Sequence, residues 1–376
     1  MKIMLLCQSL VVGGTQRQIA VLAPALKRRG HDVSVTVFYD GGPFVSPLTE
    51  SGITVYDLEK RGRWDIASFF VRFRNLVVHE RPDVLYAFLP VGNIVAALAK
   101  LSVRRPPRIV FGVRSSRMML ESYDWLTRQQ YWIEALFWMV ADRVIVNSRN
   151  SLDDRVARGF HANRICVVPN GIDTGKFRPN AAARAQHRAE WGIRENETLV
   201  GQVARFDPMK GHEVFFAAAA KLLRQDAPWR FVCIGVGGDK SAQALAMADQ
   251  YGIRQRVIFA GERTDTAACF PALDIACQAS RFGEGFPNAL AEAMACGVPC
   301  VATDVGDSRA IIGNLGVVVQ PGDAVALAAG LEDMRKRIVS GGFSAAVLRR
   351  SIVDQFSVEA LAERTELELR KIDSLR

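Results

Sequence analysis

Short runs of four to eight apolar residues alternate with longer amphipathic stretches along this chain, and the alternation happens twice. In the first half, "IMLLC", "DVSVTVF", "DVLYAF", "RIVFGV", "RVIVNS" and "ICVVP" have the length and continuous hydrophobicity of strands buried on both faces. Helical patterning lies between them, around residues 15–29, 64–79, 92–102, 124–141 and 148–158. The second half repeats the scheme with "TLVGQVA", "RFVCIG", "RVIFAG", "LDIACQA", "PCVATD" and "GVVVQ", and with helices around 211–225, 241–251, 287–296 and 323–339. Strands separated by helices of ten residues or more pair in parallel, with helices covering both faces of the sheet. The pattern therefore predicts an α/β protein of two doubly wound, Rossmann-like domains.

Pro, Gly and Asn cluster in "PNGIDTGKFRPN", residues 169–180, before a polar stretch rich in Ala and Arg, which marks a linker. The expected boundaries are 1–172 for the first domain and 173–355 for the second. Ligands of open α/β sheets bind outside the carboxyl ends of the strands, so the expected site is a central cleft faced by both sets of strand ends.

Composition narrows the class. At 376 residues, 49% hydrophobic and 23% charged, the chain has an ordinary globular balance. The apolar start "IMLLCQSLVV" runs into Gly13 and Gly14 with no small-residue cleavage site, so it reads as a buried strand rather than a signal peptide. "YWIEALFWMVA", residues 131–141, is interrupted by Glu134 and falls far short of the ~20 apolar residues that a membrane crossing needs. Seven scattered cysteines, with no CxxC pair, fit reduced core thiols in a cytoplasmic protein. Charge is uneven: residues 1–178 carry 25 of the 48 Lys and Arg but only 15 of the 39 Asp and Glu, so the whole positive excess lies there.

Candidate chemistry sits at strand ends. Gly13, Gly14 and Thr15 join the first strand to the first helix; such a turn serves a plain loop as well as a phosphate contact, and it lacks GxGxxG spacing. "CIGVGGD", residues 233–239, has the same ambiguity. In "VARFDPMKGHE" two cations, Arg205 and Lys210, converge on a helix start, where the dipole disfavours positive charge unless an anion offsets it. That suits a diphosphate. In "GEGFPNALAEAMACGVPCVATDVG" Glu284 lies in a Gly-rich turn, Pro287 opens a helix, and Glu292 follows on that helix. A carboxylate there can accept hydrogen bonds from the vicinal hydroxyls of a ribose, while Glu284 and the first amides of the helix hold a second polyol. The implied ligand combines a sugar, a diphosphate and a ribose.

These residues resemble retaining glycosyltransferases of family 4, which have the GT-B fold. Glu284 and Glu292 resemble their E-x7-E motif, "VARFDPMKG" their pyrophosphate-binding segment, and the "GG" loop, "PNGID" and "ATDVG" follow in the same order. The resemblance covers nearly the whole chain. It implies that Glu284 sits at the donor sugar, that Glu292 holds the ribose, and that Arg205 and Lys210 neutralise the leaving diphosphate, so that Glu284, Arg205 and Lys210 form the catalytic group. The donor site would also take in Gly13, Gly14, Thr15, Arg263, Gly285, Phe286, Pro287 and Asn288. The first domain would bind the acceptor, the second the nucleotide-sugar, and a terminal segment, 356–376, would return to the first domain. Many members carry a histidine after the fourth strand of the first domain, whereas this chain reads "IVFGVRSSRMM", with Arg114 and Ser115 at that place. Arg114 then binds acceptor or donor, or lines the cleft.

The implied reaction is sugar transfer with retention, from a UDP or GDP sugar to a glycan or lipid-linked saccharide, in polysaccharide or glycolipid synthesis. A nucleotide-sugar epimerase of the same fold is the alternative. No DxD-like acidic pair marks a metal at the diphosphate, and no cofactor is expected. A nicotinamide dehydrogenase lacks its glycine fingerprint here, and a nucleic-acid binder lacks interleaved aromatic and basic residues on its strands. The basic first half instead suggests peripheral contact with anionic membrane at the inner face of the cell. Residues 60–82 and 114–138, which mix Arg with Trp and Phe, would carry that contact.

Overall fold

The computed structural model describes residues 1–376 except 63, 115, 117–124, 225–226, 236, 238–241 and 374–376, and the side chains of 127 and 373. The chain divides into two compact units, Met1–Gly171 with Val358–Arg376, and Ile172–Ser357.

Unit 1 holds seven parallel strands, β1 (Lys2–Cys7), β2 (Asp32–Val37), β3 (Thr54–Asp57), β4 (Val84–Phe88), β5 (Arg108–Val113), β6 (Arg143–Val146) and β7 (Ile165–Val167), in the order β3-β2-β1-β4-β5-β6-β7. Unit 2 holds six, β8 (Thr198–Val203), β9 (Trp229–Ile234), β10 (Val257–Gly261), β11 (Ile275–Gln278), β12 (Cys300–Thr303) and β13 (Val317–Val319), in the order β10-β9-β8-β11-β12-β13. Both sheets are doubly wound, reversing strand order beside their first strand, between β1 and β4 and between β8 and β11. Such a reversal is where loops at the carboxyl edge splay apart and leave room for a ligand.

Alternation along each strand builds two cores per sheet. In β1, Ile3, Leu5 and Cys7 pack on one face and Met4 and Leu6 on the other; in β9, Val232 and Ile234 oppose Phe231 and Cys233. The last helix, Val358–Asp373, packs in unit 1, burying Leu361, Ala362, Leu369 and Ile372 on the face that holds Ile3 and Leu5. Glu366 meets Arg29 at 2.5 Å, and Glu368 pairs with Arg143. The seven cysteines are all unpaired, and burial pushes Cys7 and Cys166 up to about 12.

Several elements depart from the sequence reading, among them the helices Val45–Glu50, Ser308–Ile312 and Ala345–Phe356, and two of the departures have a plain physical reason. β3 was not among the expected strands: it is a four-residue edge strand with one partner and no fully buried residue, so it lacks a continuous apolar run. The polar stretch after the linker is a helix, Ala181–Glu190, capped by the Asn180 carboxamide, which accepts from the Ala183 amide at 3.0 Å. Its buried face consists of Ala183, His187 and Arg188, which hydrophobic periodicity does not register.

Candidate active site

The switch point of unit 2 carries the densest chemistry. After β8 the chain turns at Asp207, whose carboxylate accepts from the Met209 amide at 2.9 Å and starts the 3-10 turn Pro208–Lys210. Gly211 follows with φ 63°, and a Cβ there would stand 2.0 Å from the Ala279 carbonyl oxygen. Only glycine permits that approach. The Met209 carbonyl then accepts from the Arg281 amide at 2.8 Å, and the Gln202 amide group donates to the Lys210 carbonyl at 2.9 Å. Lys210 is thereby pinned against the loop after β11.

That loop presents Glu284. Its Oε1 accepts from Lys210 Nζ at 2.6 Å and from Ser280 Oγ at 2.7 Å, and the residue is 7% exposed. Ser280 is itself fixed, since Thr303 Oγ1 donates to its carbonyl at 2.6 Å. A second glycine clamps the far side: a Cβ on Gly306 (φ 62°) would lie 2.4 Å from the Gly285 carbonyl oxygen, which accepts from the Asp307 amide at 2.9 Å. Pro287 precedes the helix Asn288–Ala295, and Glu292 lies on it at 3% exposure. Phe286 is core, stacked edge-on with Phe356 at 5.2 Å.

Electrostatics at this point are set by burial. His212 opens the helix His212–Leu222 against Phe206, with ring centroids 4.6 Å apart; burial first, and the Lys210 charge second, push it down to about 4. It is neutral at pH 7. Gln278, at the end of β11, has neither side-chain amide atom hydrogen-bonded although the residue is 7% exposed. An orphaned amide is costly to bury and suits a ligand that supplies both a donor and an acceptor.

Other candidate residues are placed differently. Arg205 is largely exposed, its Nε donating to Asp207 at 3.1 Å. Arg263 does not join Lys210 and Glu284: its guanidinium is held by both oxygens of Asp265 and by Glu190, in a cluster with His187. Those charge-assisted bonds raise its pKa further and give it a structural task within unit 2. In "CIGVGGD", Cys233 and Ile234 end β9 and Gly235 follows with φ 148°, while residues 236, 238 and 239 lie outside the described residues.

In unit 1, Gly13 is the N-cap of the helix Gly14–Arg28, with extended backbone and no side-chain cap; Thr15 is half-buried in its first turn. Arg114 follows β5 and donates to Asn170 Oδ1 at 2.8 Å and to Tyr86 Oη at 3.0 Å, above the Phe88 ring at 5.1 Å. These partners are neutral, and its Nε is buried without one. Ser115 lies outside the described residues. Tyr86, Asn170, Asp207, Gln278 and Ser280 escaped the sequence reading; a polar residue ending an apolar strand (Gln278) and an Asp-Pro pair (Asp207) were the available signals.

Comparisons with known proteins bear on the family and the fold. Residues 12–176 match the family described as Glycosyltransferase Family 4, and residues 183–337 the family described as Glycosyl transferases group 1. The chain is 35% identical over 200 residues to D-inositol 3-phosphate glycosyltransferase of Mycobacterium marinum, a match spanning 50% of this chain and 39% of that protein. Among solved structures, Anabaena HepE in complex with UDP-glucose superposes with a TM-score of 0.82 at 23% identity, over 98% of this chain and 99% of that one. WaaG, a glycosyltransferase involved in lipopolysaccharide biosynthesis, superposes with a TM-score of 0.72 at 18% identity, over 96% and 98%. The chain belongs to the family 4 glycosyltransferases and has the GT-B fold.

Proposed function

We propose that this protein transfers a sugar, with retention of anomeric configuration, from a uridine-diphosphate sugar to a saccharide acceptor, using no metal and no resident cofactor. The observation that carries the proposal is the Lys210–Glu284–Ser280 cluster at the unit 2 switch point. Lys210 is a partly exposed cation at a helix start, placed to meet charge that develops on a leaving diphosphate. Glu284 holds that cation and meets the hydroxyls of the donor sugar. Glu292, one helical stretch further on, takes the ribose, and Arg205 supplies a second, largely exposed cation. The UDP-glucose bound by HepE supports uridine over guanosine.

Arg114 is the acceptor residue of unit 1. A cation held by a tyrosine, an asparagine and an aromatic face, with no carboxylate among those partners, has charge to offer a phosphate-bearing acceptor. The phosphorylated cyclitol in the name of the mycobacterial relative supports that choice, as does a lipid-linked saccharide, which carries phosphate too.

Membrane contact falls on one of the two segments named above. Phe69 and Phe73 in the helix Ala67–Glu80 are core, which removes most of that segment's aromatic face. The helix Trp125–Phe137 is the reverse: Glu134 points inward to Asn93 at 2.6 Å and to Arg155 at 3.5 Å, while Trp125, Trp132 and Leu136 are 72%, 67% and 65% exposed. An apolar stripe facing outward suits an interfacial helix. No helix among the described residues is long and apolar enough to cross a membrane.

Incubation with UDP-glucose and a panel of phosphorylated and lipid-linked saccharides, with and without a chelator, tests the reading. An α-linked product, formed equally with the chelator present, is expected. Conversion of the nucleotide-sugar without acceptor would replace transfer by epimerisation.

A further inference from the structure

The amino ends of β5, β6 and β7 in unit 1 surround a cavity of about 530 Å³ that none of the proposed chemistry uses. β5 runs from Arg108 to Val113, so this opening lies about 20 Å from Arg114 at the other end of the strand. Five cations line it: Lys100, Arg108, Arg143, Arg164 and Lys371.

Among the described residues, two carboxylates serve four of these five charges. Asp142 accepts from Lys100 Nζ at 2.6 Å and from the Ile109 amide at 2.7 Å, and its other oxygen stands 3.5 Å from Arg108. Glu368 pairs with Arg143 and, at 2.6 Å, with Lys371. Arg164 donates to the Met139 carbonyl at 3.0 Å, and Lys100 reaches the Val140 carbonyl at 3.0 Å. Carbonyl contacts orient a cation but leave its charge in place. Among the described residues, these cations outnumber Asp142 and Glu368 in a concave space, where the field concentrates and mutual repulsion works against folding unless an anion offsets it. The carbonyl and carboxylate contacts fix the side chains of Lys100, Arg143 and Arg164 in advance, which lowers the ordering cost of binding.

We infer that this cavity is a second anion site, built for a phosphate group and separate from the donor and acceptor chemistry at the carboxyl edges. Guanidinium groups match phosphate oxygens in fork geometry, and the cavity has room for a diphosphate or for the headgroup of a phosphate monoester. The source is either a soluble phosphate or an anionic lipid at the membrane surface, and the test separates them.

Inorganic pyrophosphate is titrated calorimetrically into the full-length protein, into Lys210→Ala, into Arg164→Gln, and into Arg108→Gln/Arg164→Gln. In parallel, each is sedimented with phosphatidic acid vesicles and with phosphatidylcholine vesicles. Lys210→Ala removes the donor-site cation and is expected to keep a pyrophosphate event that weakens with salt. The double substitution is expected to weaken that event, or the phosphatidic acid binding, at least tenfold. The arm that weakens identifies the source, and the single Arg164→Gln variant should show a smaller loss in that arm. Arg164 touches only a carbonyl among the cavity contacts, so this variant remains readable if the double one fails to fold. Unchanged binding in both arms, or no binding of either probe by the parent, overturns the inference.

Discussion

Lys210 Nζ and Glu284 Oε1, 74 positions apart in sequence, stand 2.6 Å from each other at the switch point of unit 2. The pair is two of the three residues of the candidate catalytic group, and its partners differ in exposure: the Lys210 side chain is 21% exposed and that of Glu284 9%. Removing the lysine leaves a nearly buried carboxylate without its cation, so the substitution acts on stability and on chemistry at once. Lys210→Ala is expected to lower kcat by about 10²–10³-fold and to destabilise unit 2 by about 3 kcal/mol. Adding Glu284→Gln should restore part of the stability but none of the turnover. A double-mutant cycle of unfolding free energies checks this, and additive losses would show that the pair is not coupled.

Gly211 and Gly252 both have positive φ, 63° and 68°, but only Gly211 has a neighbour where a side chain would go. Gly252→Ala should cost about 1–2 kcal/mol, the strain of left-handed backbone alone. Gly211→Ala should cost about 2–5 kcal/mol, because a Cβ 2.0 Å from the Ala279 carbonyl forces the Lys210 turn away from the loop after β11. Donor affinity should fall with it. Chemical denaturation of both variants reads the difference, and equal costs would contradict the close approach.

His212 gives unit 2 a pH dependence of definite sign. Its folded pKa, about 4, lies below the ~6.5 of an unfolded histidine, so protonation favours the unfolded chain. The contribution is complete above pH 6.5 and is lost as pH falls toward 4, by up to about 3 kcal/mol. His212→Phe keeps the packing on Phe206 and Phe216 and should flatten this part of the stability profile. Identical profiles for parent and variant between pH 6.5 and 4 would assign the effect elsewhere.

Trp132 and Leu136 lie one turn apart on the outward stripe of the helix Trp125–Phe137. Exposed as they are, Trp132→Gln with Leu136→Gln should leave the unfolding midpoint within a degree or two, while binding to anionic vesicles drops at least about tenfold. Unaltered vesicle binding would remove this helix from any membrane contact.

Much of the architecture was legible because parallel strands buried on both faces are written as unbroken apolar runs: Val84–Phe88 is buried at every position. The edge strand Thr54–Asp57 and the helix Ala181–Glu190 were not, since one is partly exposed throughout and the other buries Ala, His and Arg. At the site, Lys210 and Glu284 stood out by position after strands, and the fold brings them together. Arg263, equally placed after a strand, is consumed by Glu190 and Asp265, partners that spacing alone does not reveal. Ser280 and Tyr86 act through geometry contributed by other strands, which no local pattern encodes.

The central claim is that unit 2 binds a nucleotide-sugar, with Glu292 at the ribose and Glu284 at the sugar. Calorimetry with UDP and with UDP-glucose, on the parent, Glu292→Gln and Glu284→Gln, tests it most directly. Loss of one charge-assisted hydrogen bond is worth about 1.5–3 kcal/mol, or roughly ten- to a hundredfold in Kd. Glu292→Gln should weaken both ligands by that factor, and Glu284→Gln should weaken UDP-glucose while leaving UDP nearly unchanged. A parent protein that binds neither ligand, or a Glu284→Gln variant that loses UDP and UDP-glucose equally, would contradict the account.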